Sequence, residues 1–292
     1  MTTTRIHDKF FRWLFTGMAT ATILIVLLIF VFMFREAAPF LRDPGLGALF
    51  NSTWRPVAFQ DASYGVLPLL AGTGLVTLLA GLMAIPFGIA GAVYIAEVAR
   101  PFEREILKPF IELLAGIPSV VLGFFGLVVV APAIKEIFGL SVTLNALSGA
   151  VVLALMAIPT IISISEDAIR AVPRSYRDAS LALGAGQQQT IWRVVIPAAI
   201  PGITAAVMLG FGRIIGETMA VLMVTGNTAR ITLSPFQPVR TMTATVAAEM
   251  GEVTFGGTHY SALFCVGILL LIITFVLNIL ALQAFKRYGA RQ

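Results

Sequence analysis

Five stretches of this chain run for 21 residues or longer without a Lys, Arg, Asp or Glu: Leu14 to Phe34, Ala62 to Ala96, Leu113 to Ile134, Ile137 to Ser165 and Val253 to Phe285. A sixth, Val194 to Ala229, would be as clean but for Arg213 and Glu217. A bilayer core of about 30 Å takes about 20 apolar helical residues, so runs of this length and purity predict membrane spans. The backbone of each span must satisfy its own hydrogen bonds in lipid, which points to helices. An all-α integral membrane protein with six transmembrane helices follows. The composition agrees, with 58% of the 292 residues hydrophobic and 12% charged, and a mean hydropathy of +0.92.

The first run is too long for the apolar core of a signal peptide and no A-x-A site follows it, so it reads as a retained helix. The single cysteine, Cys265, lies in the last run and reads as packing. It allows no intrachain disulfide.

The net charge of +5 raises the question of a nucleic-acid partner, but the placement of the basic residues answers it. With the N-terminus inside, the inner segments hold 13 Lys and Arg, including Arg100, Arg104, Lys108, Arg170, Arg174 and Arg177. The outer segments hold 6, and Arg213 is left in the membrane. That asymmetry is the mark of membrane orientation and puts both termini in the cytoplasm. The chain then divides into residues 1–61 (tail, first helix, first outer loop), a core over 62–285 with an inner loop at 166–196, and a C-terminal tail over 286–292. Of the two long outer loops, the second contains "RTMTATVAAEMGE" (Arg240 to Glu252), which predicts a short amphipathic helix on the surface.

The inner loop carries the most specific spacing. In "EDAIRAVPRSYRDASLALGAGQQQTIWRVVIPAAIPGI" (Glu166 to Ile203), a short helix around "SYRDASLAL" is ended by Gly184 and Gly186, and a second helix starts at "QQTIWRVVIP" and enters the membrane. Asp178, Ala179, Ser180, then Gly184, then Val194, Ile196 and Pro197 fit, position by position, the E-A-A, three residues, G, nine residues, I-x-L-P signature. The segment thus resembles the membrane subunits of ABC importers, with Asp for Glu, Ser for the second Ala, and Val and Ile for Ile and Leu. The resemblance implies a type I permease architecture and a coupling helix, Asp178 to Gly184, that docks on a separate ATPase. The chain has no G-x-x-x-x-G-K-[ST] phosphate loop and is not itself the motor.

Arg213 is the thirteenth of the 24 residues from Pro201 to Val224. A charge near mid-membrane costs about 2.5–3.5 kcal/mol and must be compensated by protein or water. In a continuous helix Arg213 and Glu217 share one face and meet at i,i+4. Gly212, Gly216, Ala206, Gly210 and Ala220 surround that face with small residues, which turns it toward other helices or a cavity. Two readings stand: a self-neutralising structural pair, or an anion-attracting arginine held by Glu217 when the path is empty. A guanidinium offers planar paired donors suited to phosphate oxygens.

"GRIIGETMAVLMVTGN" (Gly212 to Asn227), "ELLAGIPSVVLGFFGL" (Glu112 to Leu127), "LPLLAGTGLVTLLAGLMAIPFGI" (Leu67 to Ile89) and "SEDAIRAVP" (Ser165 to Pro173) resemble the phosphate ABC importer permeases, on the PstC rather than the PstA branch. The resemblance covers nearly all of Leu67 to Arg287. It implies a heterodimer with a PstA-like permease, a PstB-like ATPase dimer below, and a PstS-like phosphate-binding protein above. It puts Arg213 and Glu217, with Thr218, in the phosphate path. No cofactor, metal or nucleic acid is called for, and membrane lipid surrounds the spans. A permease for sulfate or molybdate would share the coupling loop but not the R-x-x-G-E-T-M segment. An ATP-independent secondary transporter would call for further intramembrane acids or an internal duplication. An integral membrane enzyme would call for clustered chemistry, whereas His7 and His259 are isolated in a tail and a loop.

Overall fold

The computed structural model describes residues 2–57 and 62–289. Residues 58–61 of the first long loop and 290–292 of the expected C-terminal tail lie outside the described residues. Six helices among the described residues are long and apolar enough to cross a membrane, and the chain is a multi-pass membrane protein. The first crossing is α1 (Thr2–Phe40), which runs into a π-turn and a 3-10 turn ending at Phe50. A two-stranded antiparallel hairpin then interrupts the otherwise helical chain, β1 (Trp54–Arg55) against β2 (Ser63–Tyr64), with Trp54 opposite Tyr64.

The second crossing is α2 (Leu67–Val93), closed by a π-turn at Tyr94–Val98. The third is made of α4 (Ser119–Phe125), a π-turn and α5 (Ala131–Phe138), and is preceded by the charged helix α3 (Pro101–Ala115), which lies outside it. Its expected start at Leu113 falls inside α3, because Pro118 removes a donor and α3 stops three residues before it. The fourth, α6 (Ala146–Arg170), starts later than Ile137 because Gly139 ends α5 at φ +61 and Asn145 caps α6 by accepting from the Ser148 amide at 2.9 Å.

α7 (Arg174–Ala182) and α8 (Gln187–Thr190) form the inner loop, and α8 leads through a π-turn into α9 (Ile196–Gly216). α10 (Met219–Val224), α11 (Met242–Glu249) and α12 (Thr258–Gly289) complete the chain.

α2, α6 and α9 make the centre. Ile161 of α6 is 1% exposed and wedges between two glycines, so close that a Cβ at Gly88 or at Gly210 would lie 2.6 Å from it. Only glycine at both positions lets three helices converge on one side chain. α1 is apolar and exposed over most of its length, as a lipid-facing span requires, and meets α12 near its end through Phe32 against Phe264 and buried Ala37 and Phe40. Cys265 is buried at this junction as a packing residue.

Candidate functional site

The fifth crossing does not run straight through the charged segment. α9 ends at Gly216, Glu217 takes extended backbone angles (φ −68, ψ 132), and α10 restarts at Met219. The expected i,i+4 meeting of Arg213 and Glu217 therefore fails, because that geometry needs an unbroken helix between them. Glu217 turns forward instead: its Oε1 accepts from the Met219 and Ala220 amides, each at 3.1 Å, and so caps the first turn of α10. A carboxylate there satisfies amides that the break leaves free and sits at the favourable end of the helix dipole. The Thr218 hydroxyl donates to the Gly216 carbonyl at 3.3 Å, also inside the break.

Arg213, half-buried, reaches away from Glu217 toward two other elements. Nη1 donates to Thr160 Oγ1 of α6 and Nη2 to the Ala115 carbonyl at the end of α3, both at 3.4 Å. α6 is 25 residues long, and Thr160 stands ten residues, or about 15 Å, from its Arg170 end. The guanidinium therefore lies within the length of α6 and beside a second interruption. α3 stops at Ala115 and α4 begins at Ser119, so a break before the third crossing and the break after α9 lie at one level. The halves beyond the breaks pack closely, since a Cβ at Gly123 would lie 3.0 Å from the Ala220 backbone. Broken membrane helices with free backbone groups are tolerated where they line a path or are buried in protein.

The small-residue stripe divides. Ala206 and Ala220 are buried and Gly210 meets Ile161, whereas nothing lies within 4 Å of a Cβ built on Gly212 or Gly216. The side of α9 beside Arg213 is thus left open by this chain.

The helix expected on the outer surface is instead sunk into the body. Met242 and Ala244 of α11 are fully buried, the Met242 amide donates to Thr73 Oγ1 at 2.9 Å, and Thr243 Oγ1 donates to the Glu217 carbonyl at 2.8 Å. The Thr73, Thr241 and Thr243 hydroxyls compensate the polar backbone that this helix carries inward, and a cavity of about 10 Å³ lined by Glu217, Thr73, Thr77, Thr241 and Thr243 lies beside them. That volume is about one water molecule's. At its far end α11 is fixed by Glu249, which accepts from Trp54 Nε1 (3.1 Å) and pairs with Arg240 (2.7 Å) and His259 (2.8 Å). His259 is held in this cluster and not free in the loop.

At the opposite end α7 stands clear of the bundle with Asp178 and Ala179 exposed. Ser180 faces inward and shares a 2.9 Å hydrogen bond with Thr190. Gly184 turns the chain at φ +84, a value that favours glycine. Val194 falls in the π-turn before α9, and Ile196 and Pro197 open α9, where Pro is accommodated in the first turn.

Two ion clusters here were not visible in the sequence. Glu166 is buried, its side chain 2% exposed, and is held by Arg104 (2.5 Å) and Lys108 (2.7 Å) of α3 and by Arg170. Hydrogen bonds to Glu166 and then to Asp167 push the Lys108 ammonium above its usual 10.5. Arg177 of α7 pairs with Glu97. Arg170 stands four residues from Glu166, but the partners on α3 and the Arg177–Glu97 pair lie 58 to 80 residues apart, so no local pattern announces them.

Six crossings, two helix breaks at one level beside an arginine with no carboxylate partner among the described residues, and a helix pair projecting at one end are the features of a transport permease. The chain belongs to the binding-protein-dependent transport system inner membrane components, whose family model matches residues 84–288, and within them to the PstC permeases. It is 35% identical over 298 residues to the phosphate transport system permease protein PstC of Mesorhizobium japonicum, covering 94% of this chain and 90% of that one. It is 31% identical to the PstC of Xylella fastidiosa over 98% of this chain and 92% of that one. A probable ABC transporter permease, YqgH of Bacillus subtilis, is 43% identical over 80% of this chain and 75% of its own length. The fold is shared with a bacterial alginate ABC transporter (TM-score 0.68, 16% identity, 94% of each chain) and with the MetNI methionine ABC transporter (TM-score 0.57, 19% identity, 77% of this chain and 94% of that one).

Proposed function

We propose that this chain is the PstC-type membrane subunit of an ATP-driven phosphate importer and that Arg213 draws the anion through it. The observation that carries this reading is the condition of the guanidinium. It is half-buried within the length of α6, bonded to two neutral oxygens at 3.4 Å, and paired with no carboxylate among the described residues. Its charge is left for a ligand. Phosphate oxygens accept from both arms of a guanidinium, and the Thr160 and Ala115 oxygens compete for the same donors, which keeps binding transient as conduction requires. Thr218 and Glu217 border the path at the break above Arg213, with Glu217 shaping it as the cap of α10.

A PstA-like permease would cover the open side of α9 at Gly212 and Gly216. A PstB-like ATPase dimer would dock on α7 through Asp178, Ala179 and Ser180, with Gly184 turning the chain and Val194, Ile196 and Pro197 passing its motion into α9. A PstS-like protein would deliver phosphate at the end bearing the hairpin and α11. The excess of Lys and Arg in the segments on the α7 side supports a cytoplasmic α7 and cytoplasmic termini. Phosphate would enter when ATP binding closes the ATPases and leave inward after hydrolysis, which this chain does not perform.

The test is uptake of labelled phosphate, sulfate and molybdate by vesicles holding the complete importer, with and without its ATPase. Phosphate alone is carried, and only with the ATPase. Arg213→Ala assembles but loses at least 100-fold in uptake, since two charge-assisted bonds at about 1.5–3 kcal/mol each are removed and 1.4 kcal/mol is tenfold. Near-normal uptake by assembled Arg213→Ala complexes, or transport without ATPase, refutes the reading.

A further inference from the structure

In chain order, motion of α7 passes to α8 and α9, which follow it directly. A second attachment crosses to other helices. Arg177, on the inner side of α7, donates from Nη1 to the Val172 carbonyl at 2.7 Å and from Nη2 to the Ile169 carbonyl at 3.0 Å and to Glu97 Oε1 at 2.5 Å. Ile169 belongs to the last turn of α6 and Val172 follows it, while Glu97 lies in the π-turn that closes α2. The two charged side chains are only 21% and 11% exposed, so the pair is shielded from solvent screening. A planar fork of donors can hold two carbonyls and a carboxylate at once, whereas the point charge of a lysine cannot reach all three in that geometry.

We propose that Arg177 is a positioning residue that fastens the coupling helix to the end of α2 through Glu97 and to the end of α6 through the Ile169 and Val172 carbonyls. A push on α7 then moves three helices together: α9 by chain connectivity, and α2 and α6 by this clamp. Those three helices already form one unit, because Ile161 is wedged between Gly88 and Gly210. Their joint displacement carries both Arg213 of α9 and its partner Thr160 of α6. The inference rests on reading α7 as the ATPase-docking helix of a phosphate importer.

The complete reconstituted importer tests it, with ATP consumed per phosphate imported as the readout. Glu97 lies on α2, away from the exposed surface of α7, so Glu97→Ala cannot alter the docking face itself. Glu97→Ala and Arg177→Ala each raise the ATP-to-phosphate ratio at least fivefold, and Glu97→Gln and Arg177→Lys raise it less. The double alanine variant is no worse than Arg177→Ala, because both remove one interaction. A purely structural role would lower uptake, hydrolysis and complex recovery in parallel, and a ratio unchanged in Glu97→Ala refutes the proposal. Spin labels at Ser175→Cys and Phe87→Cys, both exposed positions outside the residues read as touching the ATPase, on a chain whose native Cys265 is buried, give a readout that needs no phosphate. Their separation stays constant on ATP addition in the otherwise native importer and changes in Glu97→Ala. An importer that carries sulfate or molybdate would end the phosphate reading, while the label distances would still decide on Arg177.

Discussion

Replacing Glu217 by alanine and by glutamine separates two roles for this intramembrane carboxylate. In the structure Oε1 receives the Met219 and Ala220 amides at 3.1 Å and makes no pair with Arg213. Alanine leaves both amides without that acceptor. Deleting a helix cap costs about 0.5–2 kcal/mol where water can substitute, and an orphaned buried donor about 1–3 kcal/mol. Glu217 is half-buried, so the lower part of these ranges applies and the two amides together cost about 2–3 kcal/mol. Glutamine keeps a carbonyl oxygen in the same place and exchanges a charge-assisted bond for a neutral one, a loss of about 1 kcal/mol. At roughly 2–4 °C per kcal/mol for domains somewhat smaller than this one, alanine lowers the unfolding midpoint by about 4–12 °C and glutamine by about 2–4 °C. The assay is thermal unfolding of the purified importer in nanodiscs, followed by loss of monodisperse complex. If Glu217 acted as counter-ion to Arg213, both substitutions would remove the charge and destabilise equally. Equal shifts would refute the capping argument.

The three-helix wedge is tested by Gly210→Ala, which forces a methyl group to 2.6 Å from Ile161. Overpacking of this kind costs about 1–3 kcal/mol, and because the methyl group meets Cγ1 of Ile161, the double variant Gly210→Ala with Ile161→Ala loses less of the unfolding midpoint than the two single changes summed; strict additivity contradicts the wedge. Glu166→Ala leaves Arg104, Lys108 and Arg170 facing one another around a buried site, a loss of about 3–5 kcal/mol. Because Lys108 is raised above 10.5, its contribution is fully present below that pH and is lost only as pH rises through the higher folded value. The stability difference between Glu166→Ala and the native chain is therefore flat from pH 7 to 9 in the same unfolding assay, and a marked slope there counts against the cluster.

The spans were legible because composition alone decides whether a segment enters lipid. The coupling loop was legible because Asp178 to Pro197 is a local spacing with glycine at the turn. Arg213 announced itself as a charge among apolar neighbours, and the small residues around it showed that it faces inward. The pairing with Glu217 was misread because helical spacing was extended through a residue that leaves the helix. Gly216 beside Glu217 is the one local sign of a helix end, and it reads equally as one of the small residues of a packing stripe. The break is held by Thr243 of α11 on the Glu217 carbonyl and by α4 against α10, contacts made across 26 or more residues. The sinking of α11 was hidden for the same reason, since its threonines find their partners on α2 and at the break.

The sequence by itself determined that the chain crosses a membrane six times, where short helices stand between the fourth and fifth crossings, and that one arginine sits among apolar neighbours. Hydrophobic length and local turn chemistry are properties of neighbouring residues. Only the tertiary structure decided what each charge does. Two helix breaks fall at one level, Arg213 bridges α3 and α6, Glu217 caps α10, and Arg177 and Glu166 join helices far apart in the chain. In lipid, any polar group released by a break must find a partner wherever the packing brings one.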